Sequence, residues 1–229
     1  MLSADEIATR LREVRTRIAQ AAKRSARSPD AIRLVLASKT QLPEAVRAAY
    51  NAGARDFGEN YIREGAAKRA ELADLTDATW HLIGHLQSNK TRLATRTFEI
   101  IQTLDSARLA DAIAHAQPKP LTPVLIEVNL GGEPSKSGVG AGDVEALVDA
   151  ARAKVEILGL MTIPPHAESA RGARNYFTKL RRLRDRLAAT TGLALSELSM
   201  GMTEDFEVAI EEGATMVRVG RAVFGERPK

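Results

Sequence analysis

The sequence reads as a closed (β/α)8 barrel with one extra helix ahead of it, and three features say so. Short apolar, β-branched runs alternate with helix-period segments along nearly all 229 residues, the pattern of βαβ crossovers and a parallel sheet. The runs number eight. No long linker, low-complexity tract or composition break divides them, so one barrel accounts for the whole chain, 1–229, better than an open sheet with a second domain.

Each element follows from its own spacing. Ile7, Leu11, Val14 and Ile18 recur at three- and four-residue intervals, which predicts an amphipathic helix over about 3–26, starting near Ser3. The barrel then runs over about 33–225. RLVLASK has the apolar density of a buried parallel strand, and Pro43 opens the helix after it. The same beat returns in DFGEN, TWHLIGH, EIIQTLD, PVLIEVNL, VEILGLMTIP, LSELSMG and TMVRVGRAVFG, each of the first five followed by a helical segment and LSELSMG by TEDFEVAIEEG. The residues after Gly225 are too few for a helix, so the eighth strand is expected to lack one, and the N-terminal helix is expected to fill that gap in the outer ring.

Composition narrows the function classes. Hydrophobic residues at 44% and charged residues at 27% are those of a folded globular protein. The net charge of +4 suits an anionic small molecule without requiring nucleic acid. The absence of cysteine removes disulfides, thiolate nucleophiles and cysteine metal sites, and fits a reducing cytosol. Neither the charged N-terminus nor any later window reads as a signal peptide or a membrane span, so the expectation is a soluble, cytoplasmic protein.

Active sites of such barrels lie at the C-terminal ends of the strands. Lys39 is there, on the same strand parity as Val35 and Ala37, where partial desolvation would favour its free amine as a nucleophile toward an aldehyde. A lysine snorkelling to solvent is the competing reading. The turns after strands seven and eight, where barrels commonly hold phosphate, carry the hydroxyls of Ser199 and Thr203, the glycines Gly201 and Gly220, and a helix expected to start near Thr203. Arg218 is a cation inside the last strand and needs either a ligand or a carboxylate such as Glu127 or Glu59. Asn60, His81 and His85 also lie at strand ends. The histidines read as hydrogen-bonded structural groups, and no metal is expected.

LASKTQ, FGENYIRE, WHLIGHLQSNK, EPSKSG, GLMTIP and LSMGMTEDFEVAIEEGATMVRVGRAVFG occur in this order between about Leu34 and Gly225. Together they resemble the pyridoxal phosphate homeostasis protein family. The resemblance implies a barrel like the N-terminal domain of alanine racemase, binding pyridoxal 5′-phosphate (PLP). It implies that Lys39 forms the Schiff base, that Ser199, Met200 and Thr203 with the backbone near Gly220 surround the phosphate, that Arg218 lies near the pyridine nitrogen, and that Asn60 lies beside the cofactor. Lys136, in EPSKSG, corresponds to a second lysine that handles PLP.

The function so implied is buffering or delivery of PLP, with influence on amino- and keto-acid balance and no robust catalysis. PLP-dependent apo-enzymes would be its recipients, and the chain would be a monomer or weak dimer. The alternative is an amino-acid racemase. It is disfavoured because no further residues are in hand to build the second domain that closes such a site, and an arginine at the pyridine nitrogen weakens the electron sink without excluding catalysis. Nucleic-acid binding through Arg171, Arg174, Lys179, Arg181, Arg182, Arg184 and Arg186 is disfavoured too. Tyr176, Phe177, Leu180, Leu183 and Leu187 form an apolar stripe there, which makes the basic residues the outer face of a barrel helix.

Overall fold

The computed structural model describes residues 2–117, 119–133, 137–165 and 170–226, the side chains at 170 and 171 excepted. Helix α1 (Ala4–Arg24) opens with a capping box, in which the Ser3 hydroxyl accepts from the Glu6 amide and the Glu6 carboxylate accepts from the Ser3 amide. Its Ile7, Leu11, Val14 and Ile18 are buried, as the spacing predicts.

The barrel follows as β1 (Arg33–Ala37), α2 (Pro43–Asn51), β2 (Asp56–Glu59), α3 (Ile62–Glu71), β3 (Thr79–Leu82), α4 (Thr91–Thr97), β4 (Ile100–Leu104), α5 (Ala107–Ala116) and β5 (Pro123–Asn129). It continues through β6 (Val139–Gly140), α6 (Val144–Ala151), β7 (Glu156–Met161), α7 (Ala170–Thr191), β8 (Glu197–Ser199), α8 (Phe206–Glu211), β9 (Met216–Val219) and α9 (Arg221–Phe224). Eight of these strands pair in parallel around a closed ring, β1-β2-β3-β4-β5-β7-β8-β9, with β9 returning to β1. The two-residue β6 pairs with β5 alone and stands outside the ring.

Two local expectations are corrected. A one-turn helix, α9, does follow the last barrel strand, although α1 still completes the outer layer by packing on α2, α8 and α9. The helix after β8 starts at Phe206 rather than near Thr203, because the Asp205 carboxylate takes the Met202 amide at 2.6 Å and holds a turn ahead of the helix.

Side chains divide between two cores. Leu36, Phe57, Trp80, Leu198 and Val217 face the helices and pack with residues such as Phe177 and Phe206. Leu125, Met161 and Met216 form a small separate cluster. On α7, Phe177, Leu180, Leu183 and Leu187 are buried, whereas Tyr176 is only partly so and carries Lys179 over its ring. Arg174 and Arg181 of that helix pair with Glu211 and Glu212 beside α8, so part of its basic face is neutralised within the fold.

Candidate functional site at the barrel mouth

Four neighbouring strands bring most of the expected residues to one end of the barrel. In the ring order β2-β1-β9-β8, Asn60 follows β2, Lys39 lies two residues past β1, Arg218 is in β9 with Gly220 just beyond it, and Ser199 ends β8. Val35 is registered with Arg218 across β1 and β9, and paired residues of parallel strands share a face. Val35 therefore belongs to the face that carries Arg218, and Lys39 follows it four residues on, in the turn beyond the end of β1. Gly220 suits its place because a Cβ there would sit 3.1 Å from the Ala37 carbonyl oxygen.

Arg218 is 4% exposed and anchored on both sides. Its Nη1 donates to Ser199 Oγ at 2.5 Å and its Nη2 to the Thr162 carbonyl at 2.9 Å. Burial pulls its pKa down, to about 10, while Glu127 and Asp205 act to raise it, and the group remains cationic at neutral pH. Neither expected carboxylate forms an ion pair with it. Glu59 is bound to Lys68 instead, and Glu127 acts on Arg218 only through the field.

Behind Arg218 runs a polarised chain of hydrogen bonds. Ser199 Oγ donates to Gln102 Oε1 at 2.6 Å, and Gln102 Nε2 donates to His81 Nδ1 at 3.0 Å. With Nδ1 accepting, His81 carries its proton on Nε2 and donates it to Asp56 at 3.0 Å. Every donor meets an acceptor from the guanidinium to the carboxylate, which stabilises a cation held deep in the barrel. His81 is thus the structural histidine expected. His85 is exposed, 3.5 Å from Asp105, and the described residues contain no cluster that would hold a metal.

The remaining expected residues separate. Ser199 is fully buried, with its hydroxyl committed to Arg218 and Gln102. Met200 is buried in the helix-facing core and its amide donates to the Met216 carbonyl. Thr203 is partly exposed in the turn ahead of α8 and does not cap that helix. Lys136 lies outside the described residues.

Among the described residues, buried polar atoms at this end of the barrel without a hydrogen-bond partner include Glu59 Oε2, Asn60 Oδ1 and Glu127 Oε2. Burial pushes the Glu127 carboxyl up to about 7, against the attraction of Arg218 and with help from Asp105. Orphaned polar atoms, an anchored cation, a half-buried lysine and a glycine that lets backbone come close fit an anionic, heteroaromatic aldehyde.

Sequence reading passed over several residues that shape this end. Gln102 is the one polar side chain in the otherwise apolar start of IIQTL, and that interruption was a usable sign. Glu64 and Lys68 were passed over as well, and Glu59 was considered only as a partner for Arg218. Lys68 is 4% exposed, and its Nζ donates to the Ser38 carbonyl at 2.8 Å, to Glu59 at 2.7 Å and to Glu64 at 3.1 Å. The i,i+4 spacing of Glu64 and Lys68 on α3 announced their pairing but not its burial.

Fold and mouth together define a class: an alanine-racemase-type barrel with a lysine after its first strand and an arginine in its last. The model of the alanine racemase N-terminal domain family matches residues 6–228. The chain belongs to the pyridoxal phosphate homeostasis protein family within that class, being 46% identical over 222 residues to the member from Aquifex aeolicus, with 95% of this chain and 97% of the relative covered. The Pseudomonas aeruginosa member is 43% identical, with 96% of each chain covered. Among solved structures, PipY of Synechococcus elongatus PCC7942 superposes with a TM-score of 0.85 at 38% identity, covering 96% of this chain and all of PipY, and has been solved with and without PLP. Alanine racemase of Corynebacterium glutamicum shares the fold at a TM-score of 0.73 but only 19% identity, and 62% of its chain is covered.

Proposed function

We propose that this protein binds PLP at the barrel mouth and serves cofactor homeostasis, buffering or delivering PLP in the cytoplasm without robust turnover of its own. One observation supports the reading: the turn after β1 that holds Lys39 and the strand β9 that holds the anchored Arg218 are neighbours in the ring and meet the same end of the barrel. PLP supplies an aldehyde and an electron-withdrawing ring. Lys39 would hold PLP through that aldehyde, its amine being the group that condenses with it. Arg218, as an anchored cation, would meet the pyridine nitrogen and disfavour its protonation. Asn60 would lie beside the ring, and the Thr203 hydroxyl with the backbone near Gly220 would hold the phosphate. Ser199 serves this site by holding Arg218, which revises its expected role as a phosphate ligand, and Met200 contributes packing. Lys136 handles PLP secondarily, and apo-enzymes that need PLP are the recipients.

The names of the relatives at 37–46% identity support a homeostatic role. The likeness to alanine racemase is one of fold, so racemisation stays the alternative. Borohydride reduction followed by peptide mapping tests the proposal. Reduced pyridoxyl label is expected on Lys39 and absent in Lys39→Ala, whose fold should persist because the truncation opens no hydrophobic cavity. Undiminished labelling of Lys39→Ala refutes the assignment.

A further inference from the structure

Lys39 occupies a strained turn. The Gln41 amide donates to the Ser38 carbonyl at 3.0 Å, closing Ser38-Lys39-Thr40-Gln41 into a β-turn. Thr40, its third residue, has φ +63°. Positive φ at that position marks a type II turn, which ordinarily takes glycine, and a β-branched side chain disfavours it. Such a conformation persists only where its surroundings over-determine it.

The surroundings here are one face of α3 and the end of β2. Lys68 Nζ donates to the carbonyl of Ser38, the first residue of the turn. Glu64 accepts from the Thr40 amide at 2.5 Å and from Lys68. Glu59 accepts from the Ser38 hydroxyl at 2.6 Å and from Lys68. The residues on both sides of Lys39 are therefore tied to a single buried ammonium and its two carboxylates. This clamp touches the backbone of the lysine turn and leaves the phosphate turns after β8 and β9 alone.

We infer that Lys68 and Glu64 are positioning residues for Lys39, holding a disfavoured turn so that its amine is delivered to an aldehyde in the barrel mouth. The inference rests on Lys39 being the condensing amine. It predicts that the clamp matters for the covalent part of cofactor binding and not for the rest.

The test compares PLP with pyridoxine 5′-phosphate, which keeps the ring and phosphate but lacks the aldehyde, on the full-length wild type and variants. Glu64→Ala is the first variant, because Glu64 is partly exposed and water can reach the Thr40 amide it leaves. Its affinity for PLP should fall about tenfold, the worth of one charge-assisted hydrogen bond, with the borohydride-trapped fraction reduced and pyridoxine 5′-phosphate affinity unchanged. Adding Thr40→Gly should restore much of the loss, since glycine adopts the turn without help. Lys68→Met should show the larger selective defect. Because it leaves Glu59 buried without its cation, Lys68→Met with Glu59→Gln controls for folding.

Equal losses for both ligands, no loss for either, or failure of Thr40→Gly to rescue would overturn the inference. Absence of trapped Lys39 in the wild type would instead overturn the reading of Lys39, a distinguishable result.

Discussion

Replacing Ser199 by alanine tests which way its hydroxyl serves. The side chain is fully buried, donates to Gln102 at 2.6 Å and accepts from Arg218 at 2.5 Å. Alanine leaves one guanidinium N–H and one amide oxygen unpaired in a water-poor interior. Each orphaned group costs about 1–3 kcal/mol, so Ser199→Ala should lose about 2–6 kcal/mol. For a chain of this size that corresponds to a Tm lowered by roughly 4–24 °C. Urea unfolding of the ligand-free protein reads the loss directly. A double-mutant cycle with Gln102→Leu should show coupling of about 1 kcal/mol or more, because the two side chains share the bond. Affinity for PLP and for unphosphorylated pyridoxal should fall by similar factors, since the damage reaches the site through Arg218. Stability changed by less than about 0.5 kcal/mol, with PLP alone weakened, would refute this reasoning and return the hydroxyl to the phosphate.

Thr203→Val should weaken PLP more than pyridoxal, and equal losses in parallel titrations would move the phosphate away from that turn. Glu127 carries a pH signature: its carboxyl titrates near 4.5 when unfolded and at about 7 when buried, so the unfolded chain releases its proton first as pH rises and stability falls across that window, by up to about 3 kcal/mol. Glu127→Gln should flatten the fall between pH 5 and 8 in chemical denaturation, and an unchanged slope would place its source elsewhere. Prolonged incubation with common amino acids and chiral chromatography should reveal no Lys39-dependent racemisation near ordinary enzyme rates, on the order of 1 per second; turnover at that rate would favour the racemase.

The barrel was legible because its signals are local and periodic. A strand buried on both faces must be continuously apolar, a helix on a barrel must carry one apolar stripe, and the alternation of the two admits few topologies. The position of Lys39, Asn60, Arg218 and Gly220 at one end of the barrel was legible for a related reason, since the order of strands and helices fixes which end each strand terminus reaches. The short helix α9 and the start of α8 were misjudged because a few residues of helix are decided by single contacts, such as the Asp205 carboxylate on the Met202 amide.

Partners across the ring lay beyond linear reading. Ser199 meets Gln102 from 97 residues away and Arg218 meets Thr162 from 56, and strand spacing says which face each occupies without saying which side chain stands opposite. Charge likewise offered Arg218 two carboxylates, Glu127 and Glu59. Packing of α3 on the end of β2 gave Glu59 to Lys68, and closure of the barrel gave Arg218 to a hydroxyl and a carbonyl, because a buried charge takes the donors and acceptors that packing brings within about 3 Å of it.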